Sequence, residues 1–116
     1  MPLDRDPATV LDMIVAGRRI QEFIAGQGFD EFSVDLKTQS AVILQILVLG
    51  EGAKRLSKEF QERHSEIPWK DIIRMRDRLI HHYEGTDPKE VWKAASRDVP
   101  DLLAMLEPLT PRQIDP

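Results

Sequence analysis

Ten consecutive residues of this 116-residue chain, Arg74 to Tyr83 (RMRDRLIHHY), hold three arginines, two histidines and a tyrosine. A buried helix face has no use for so many donors, and a solvated one would normally mix in lysine and glutamate. Arginine grips phosphate through a planar fork, and histidine is the side chain whose proton exchanges near neutral pH. Together they are what a metal-free phosphodiester cleavage needs. The histidine moves a proton at a ribose 2'-hydroxyl or at the leaving oxygen, and the arginine meets charge building on the phosphoryl group. RNA brings its own nucleophile, so no activated side chain is required.

Spacing constrains which of these groups can act together. On a regular helix Arg76 and Tyr83 share nearly one face, whereas Arg76 and His81 diverge by about 140°. One straight helix therefore cannot aim both at a single phosphate. Two such helices meeting across a two-fold axis would resolve the divergence, and so would a bent helix end. Asp77 and His81 form an i, i+4 pair, as do Arg78 and His82, so Asp77 is placed to orient the His81 ring. Each residue also has a plainer reading. Helical arginines are mostly solvated or paired with carboxylates, His82 alone would be a surface residue, and Tyr83 would pack its ring at the core rim. Arg74 and Arg78 are better suited to structure or to steering RNA than to catalysis.

Other chemistries find little support. The sequence has no cysteine, which removes disulfides, thiolate metal sites and a cysteine nucleophile. It has no Gly-x-Ser-x-Gly elbow, P-loop or dinucleotide fingerprint. None of the histidines (His64, His81, His82) follows a glutamate by three residues, as a two-metal carboxylate site in a bundle would ask. No metal and no cofactor is expected, although a carboxylate-only magnesium site stays open. Net charge is -4 and the pI about 5.3, so non-specific attraction to nucleic acid is not built into the whole molecule. The segment from Trp69 to Tyr83 is locally basic, with Lys70, Arg74, Arg76 and Arg78 against Asp71 and Asp77. With 41% hydrophobic and 31% charged residues, no secretory signal and no membrane-length apolar run, a soluble cytoplasmic protein is expected.

The elements that must position these residues read as helices. Asp6-Pro7 predicts an N-cap and first turn, followed by an apolar stripe through Val10, Ile14, Ile20 and Ile24 that ends at Gly26 and Gly28. A second helix is predicted from Ser33–Asp35 to about His64. Its middle, Ala41 to Leu49, is apolar on nearly every face, which marks it as the central helix. Pro68 suits the first turn of a third helix over about 68–84, ended by Gly85. Thr86-Asp87-Pro88 repeats the cap-plus-proline signal for a fourth, with Val91, Ala94, Leu102 and Met105 among its apolar positions and Pro100 kinking or dividing it. Short connections predict an all-α antiparallel bundle of four to five helices. The chain is expected to be one domain, with a core over about 6–107 and a proline-rich tail over 108–116.

Arg76 to Tyr83 matches the R-x4-H-x-Y motif of HEPN domains and resembles the HepT-like toxin family in particular. The likeness extends to "LGEGAKRLSKEF" (49–60), with its Gly50-Glu51 pair, to "IPWKDIIRMRDRLIHHY" (67–83) and to "VWKAASRDVPDL" (91–102). The resemblance implies an all-α bundle that dimerises with its motif helices facing each other. It implies a metal-independent endoribonuclease, with Arg76 and His81 catalytic and RNA as substrate. It also implies a partner, a minimal nucleotidyltransferase antitoxin of the MntA type, that silences the toxin by AMP transfer to Tyr83. Asp77 stands where the family often has asparagine, and Asp77, Arg78, His82 and Glu51 are expected to support the site. The alternative is a non-catalytic subunit of the same fold that binds nucleotides or serves the nucleotidyltransferase as a helical partner. A third reading is a dimeric helical scaffold in which the basic cluster is an interface ion-pair network.

Overall fold

The computed structural model describes residues 4–81 and 85–110, and those residues form an all-helical bundle with no strand among them. The first helix, α1 (Asp6–Ile24), buries Val10, Met13, Ile14 and Ile20. The sequence assigns its N-cap to Asp6, but Arg5 takes that place and Asp6 is the first helical residue. The Asp6 carboxylate is used elsewhere, accepting from the Ser57 backbone N–H at 2.9 Å and from its hydroxyl at 2.7 Å. Its burial is thereby satisfied, and the start of the chain is tied to a corner 51 residues away. After α1 the chain turns through Gly26, whose φ of 79° lies where a side chain would be strained.

A short helix that the periodicity does not announce, α2 (Phe29–Ser33), follows. It places the fully buried Phe32 against Trp92, ring centroids 5.2 Å apart. The central helix α3 (Leu36–Arg55) is capped by Asp35, which accepts from the Thr38 N–H at 3.0 Å. It packs against α1, α2 and the two later rods, as its all-round apolar middle requires. The expectation of one unbroken helix to His64 is incorrect. Leu56 is extended (ψ 143°) and buried, and Ser57 caps a separate α4 (Lys58–Arg63) by accepting from the Phe60 N–H at 3.1 Å. Burying Leu56 and bonding Ser57 to Asp6 outweigh continuation of the helix.

Helix α5 (Trp69–His81) begins where the Trp69 ring meets the Phe60 ring, just beyond the end of α3. By Arg76 it lies over Gly50, so α3 and α5 run antiparallel. The last rod comprises α6 (Pro88–Lys93), a π-helical turn (Ala94–Asp98) and α7 (Val99–Leu106), with a 3-10 turn over Glu107–Leu109. Asp87 caps α6 and Pro88 fills its first turn, as the sequence indicates. Pro100 divides the rod by an identifiable device. The Val99 N–H reaches five residues back to the Ala94 carbonyl, and the widened turn admits the proline that follows.

Candidate functional site

Helix α5 buries Trp69 and Leu79 and half-buries Ile72, Ile73 and Met75, which leaves its remaining faces to charge. Arg76 is the exception among its cations. Its side chain is only 18% exposed and lies against α3. Gly50 makes that possible, because a Cβ at this position would collide with the Cβ and Cγ of Arg76. A mid-helix glycine costs about 1 kcal/mol relative to alanine, so the close approach offsets a real helical penalty. At the end of its stem the guanidinium is held from two sides. Nη2 donates to Glu51 on α3 at 2.8 Å, and Nη1 donates to Asp77 at 2.8 Å. Its Nε is buried without a partner among the described residues. Two carboxylates therefore fix one cation, with one N–H left on each terminal nitrogen.

These contacts set the charge states. Arg76 is held further above its ordinary pKa, by its hydrogen bond to Asp77 first and by Glu51 as well, against the opposing effect of burial. Asp77 is held below the usual carboxylate range. Its bond to Arg76 is the main cause, and the nearby charges of Lys54, Arg76 and His81 add to it. The sequence offers Asp77 as the group that orients His81, but its carboxylate is hydrogen-bonded to Arg76 instead. His81 closes α5 as an exposed residue. The α-helix extends from Trp69 through His81, so Arg76 and His81 belong to one element.

Arg74 and Arg78 stand apart from this arrangement. Arg74 pairs with Asp71 at 3.2 Å and Arg78 with Glu90 at 3.4 Å, both on exposed surface. They rim a groove of about 470 Å³ whose floor includes Ile46, Leu49 and Leu102. Glu51, assigned by resemblance alone, does reach Arg76, whereas Arg78 does not join it. His82 and Tyr83 lie outside the described residues. Gly50 stands out in the sequence only through the family-like Gly50-Glu51 pair, and Lys54 not at all. The role of Gly50 is a contact between helices 26 residues apart, and Lys54, whose charge acts on Asp77, reads in one dimension as an ordinary surface lysine.

The family model described as ribonuclease HepT-like matches residues 13–109, and the chain belongs to that family. Among curated proteins, "Probable ribonuclease HepT" of Thermococcus cleftensis is 41% identical over 98 residues, covering 84% of this chain and 89% of that one. "Putative RNase MJ0127" of Methanocaldococcus jannaschii is 36% identical over 107 residues, covering 92% and 88%. No solved structure matches the chain significantly.

Proposed function

We propose that this chain is a metal-independent endoribonuclease and the toxin of a toxin-antitoxin pair, with Arg76 and His81 as its catalytic groups. The observation that carries the reading is the fixed guanidinium: a buried-stem arginine, pre-oriented by Glu51 and Asp77, one and a half turns before an exposed histidine. The names of the family and of its relatives agree with RNA as the substrate. In the reaction the 2'-oxygen bonds to the adjacent phosphorus and the bond from phosphorus to the 5'-oxygen breaks. A 2',3'-cyclic phosphate and a 5'-hydroxyl result. The 2'-hydroxyl proton must leave and the 5'-oxygen must gain one, so one imidazole can serve only one of these transfers in a concerted step. Arg76 stabilises the charge on the non-bridging oxygens.

That proton balance favours a homodimer in which two α5 helices face each other, each supplying a His81. Leu44 on α3 and Ile80 on α5, 57% and 45% exposed, would be covered in such a pair. Silencing follows from transfer of AMP from ATP to the Tyr83 phenol oxygen by a nucleotidyltransferase partner. The tyrosyl oxygen bonds to the α-phosphorus and pyrophosphate leaves. The added phosphodiester carries negative charge, which by the seven-residue spacing of Arg76 and Tyr83 would compete with RNA.

Purified protein whose mass shows an unmodified Tyr83 is incubated with RNA in EDTA beside a His81→Ala control. Cleavage with cyclic-phosphate ends by the parent and not by the control is expected. No cleavage by either would sink the ribonuclease reading in favour of a nucleotide-binding or helical partner subunit. Co-expression with the partner tests the silencing: enzymatic neutralisation of a Tyr83→Phe toxin would exclude Tyr83 as the modified residue.

A further inference from the structure

Arg76 is fixed, but its charge is largely spent. Two carboxylates sit on one guanidinium, so this three-residue cluster is net negative before any substrate arrives. An RNA backbone approaching it needs a second, uncommitted cation. Among the described residues, the face that carries Arg76 offers Lys54. Lys54 lies on α3 one helical turn beyond Glu51, is exposed, and has no carboxylate oxygen within ion-pair distance among the described residues. Because α3 and α5 are antiparallel, Lys54 lies toward the start of α5 from Arg76, and His81 lies on the other side, toward its end. Counted from Gly50, over which Arg76 lies, helical rise puts four residues on one side and five on the other, so the backbone positions of Lys54 and His81 are about 13 Å apart along the paired helices. With the backbones that far apart, Lys54 is better placed for a neighbouring phosphate than for the one beside His81.

Resting on the ribonuclease reading, we infer that Lys54 is an RNA-binding residue that holds a backbone phosphate flanking the scissile one, which makes the substrate a single strand longer than a dinucleotide. The charge relationships agree, since Lys54 is close enough to Asp77 to favour its ionised form. The same lysine also sits in the last turn of α3, where a cation complements the carbonyl end of the helix. That role would appear in thermal unfolding and not in the salt dependence of RNA binding.

The test compares parent, Lys54→Ala and Lys54→Arg. Cleavage is measured in EDTA on an unstructured RNA 12-mer and on a dinucleotide. Binding of the 2'-O-methyl 12-mer, which lacks the nucleophile, is measured across a salt series. For Lys54→Ala, KM on the 12-mer should rise several-fold, with a much smaller change on the dinucleotide. The slope of log affinity against log salt should flatten by about 0.7, the value of one single-strand phosphate contact. Lys54→Arg should restore both. An unchanged KM and salt slope in Lys54→Ala overturns the assignment even where the parent cleaves. If the parent binds the methylated strand in a Lys54-dependent way but cleaves nothing, the ribonuclease reading fails and the phosphate site stands. Absence of both binding and cleavage overturns both.

Discussion

Two glycines on α3, two residues apart, each let another helix come close, and they do so for different ends. A Cβ at Gly52 would meet Met13 of α1, while one at Gly50 would meet the stem of Arg76 of α5. The Gly52 seam meets the unbranched Met13 and, further off, the Thr9 methyl, and Met13 can shift to relieve a clash. The Gly50 seam is charged, and what crosses it ends in two carboxylate bonds whose geometry cannot shift without moving the guanidinium. The α1–α3 contact holds the bundle together, and the α3–α5 contact aims a cation. The same residue type at nearly the same place thus serves apolar packing in one seam and the placement of a guanidinium in the other.

The largest expected effect lies at the exposed end of α5. His81→Ala should lower RNA cleavage by about 10²–10⁴, the usual contribution of a positioned acid or base, with unchanged helicity and melting temperature. Gly50→Ala comes next. A Cβ there would collide with the Arg76 Cβ, so Arg76 must move by about an ångström or more, and a misplacement of that order can cost about 10²-fold. Steady-state kinetics on one RNA oligonucleotide checks both. Cleavage by Gly50→Ala at the parental rate would mean that the α3–α5 seam is ordinary packing, and the contrast between the glycines would collapse.

Gly52→Ala sharpens the contrast from the other side. Overpacking costs roughly 1–3 kcal/mol, and alanine in a helix recovers about 1 kcal/mol over glycine. A net loss of about 1 kcal/mol should lower the melting temperature by roughly 4 °C and leave turnover below that temperature at the parental value. A folded Gly52→Ala that has lost cleavage would show that α1 also tunes the site.

What could be read in advance follows the same division. Helices α1, α5 and α6 announce themselves through short-range signals, apolar spacing, the Asp87-Pro88 cap and glycine after α1, because such signals act within a turn or two. The break at Leu56–Ser57 was hidden because its cause is a carboxylate at Asp6, 51 residues away. Asp6 itself was misassigned for the same reason, its local value as a cap giving way to a distant donor. At the site, residue types and the helical divergence of Arg76 and His81 were legible. Which carboxylate Arg76 would take was not. By its i, i+4 spacing the sequence pairs Asp77 with His81, whereas in the fold the approach of α3 through Gly50 sets the guanidinium between Glu51 and Asp77.

The smallest effect expected is electrostatic, and it probes the charged seam alone. Folding lowers the pKa of Asp77, chiefly through its bond to Arg76, so between the folded and unfolded values the unfolded chain binds more protons. The resulting stability is present above the ordinary carboxylate pKa, about 3.9, and is lost as pH falls through the lower folded value. Asp77 is half exposed, so solvent screens much of the interaction. Denaturant titrations from pH 6 to pH 2 should show a slightly shallower acid loss of stability in Asp77→Asn than in the parent. Cleavage at pH 7 should respond as well, because Asp77→Asn leaves Arg76 with Glu51 as its one charged partner. If that variant's acid limb superposes on the parent's, the Arg76–Asp77 bond adds nothing measurable, and Glu51 with Gly50 must hold the guanidinium by themselves.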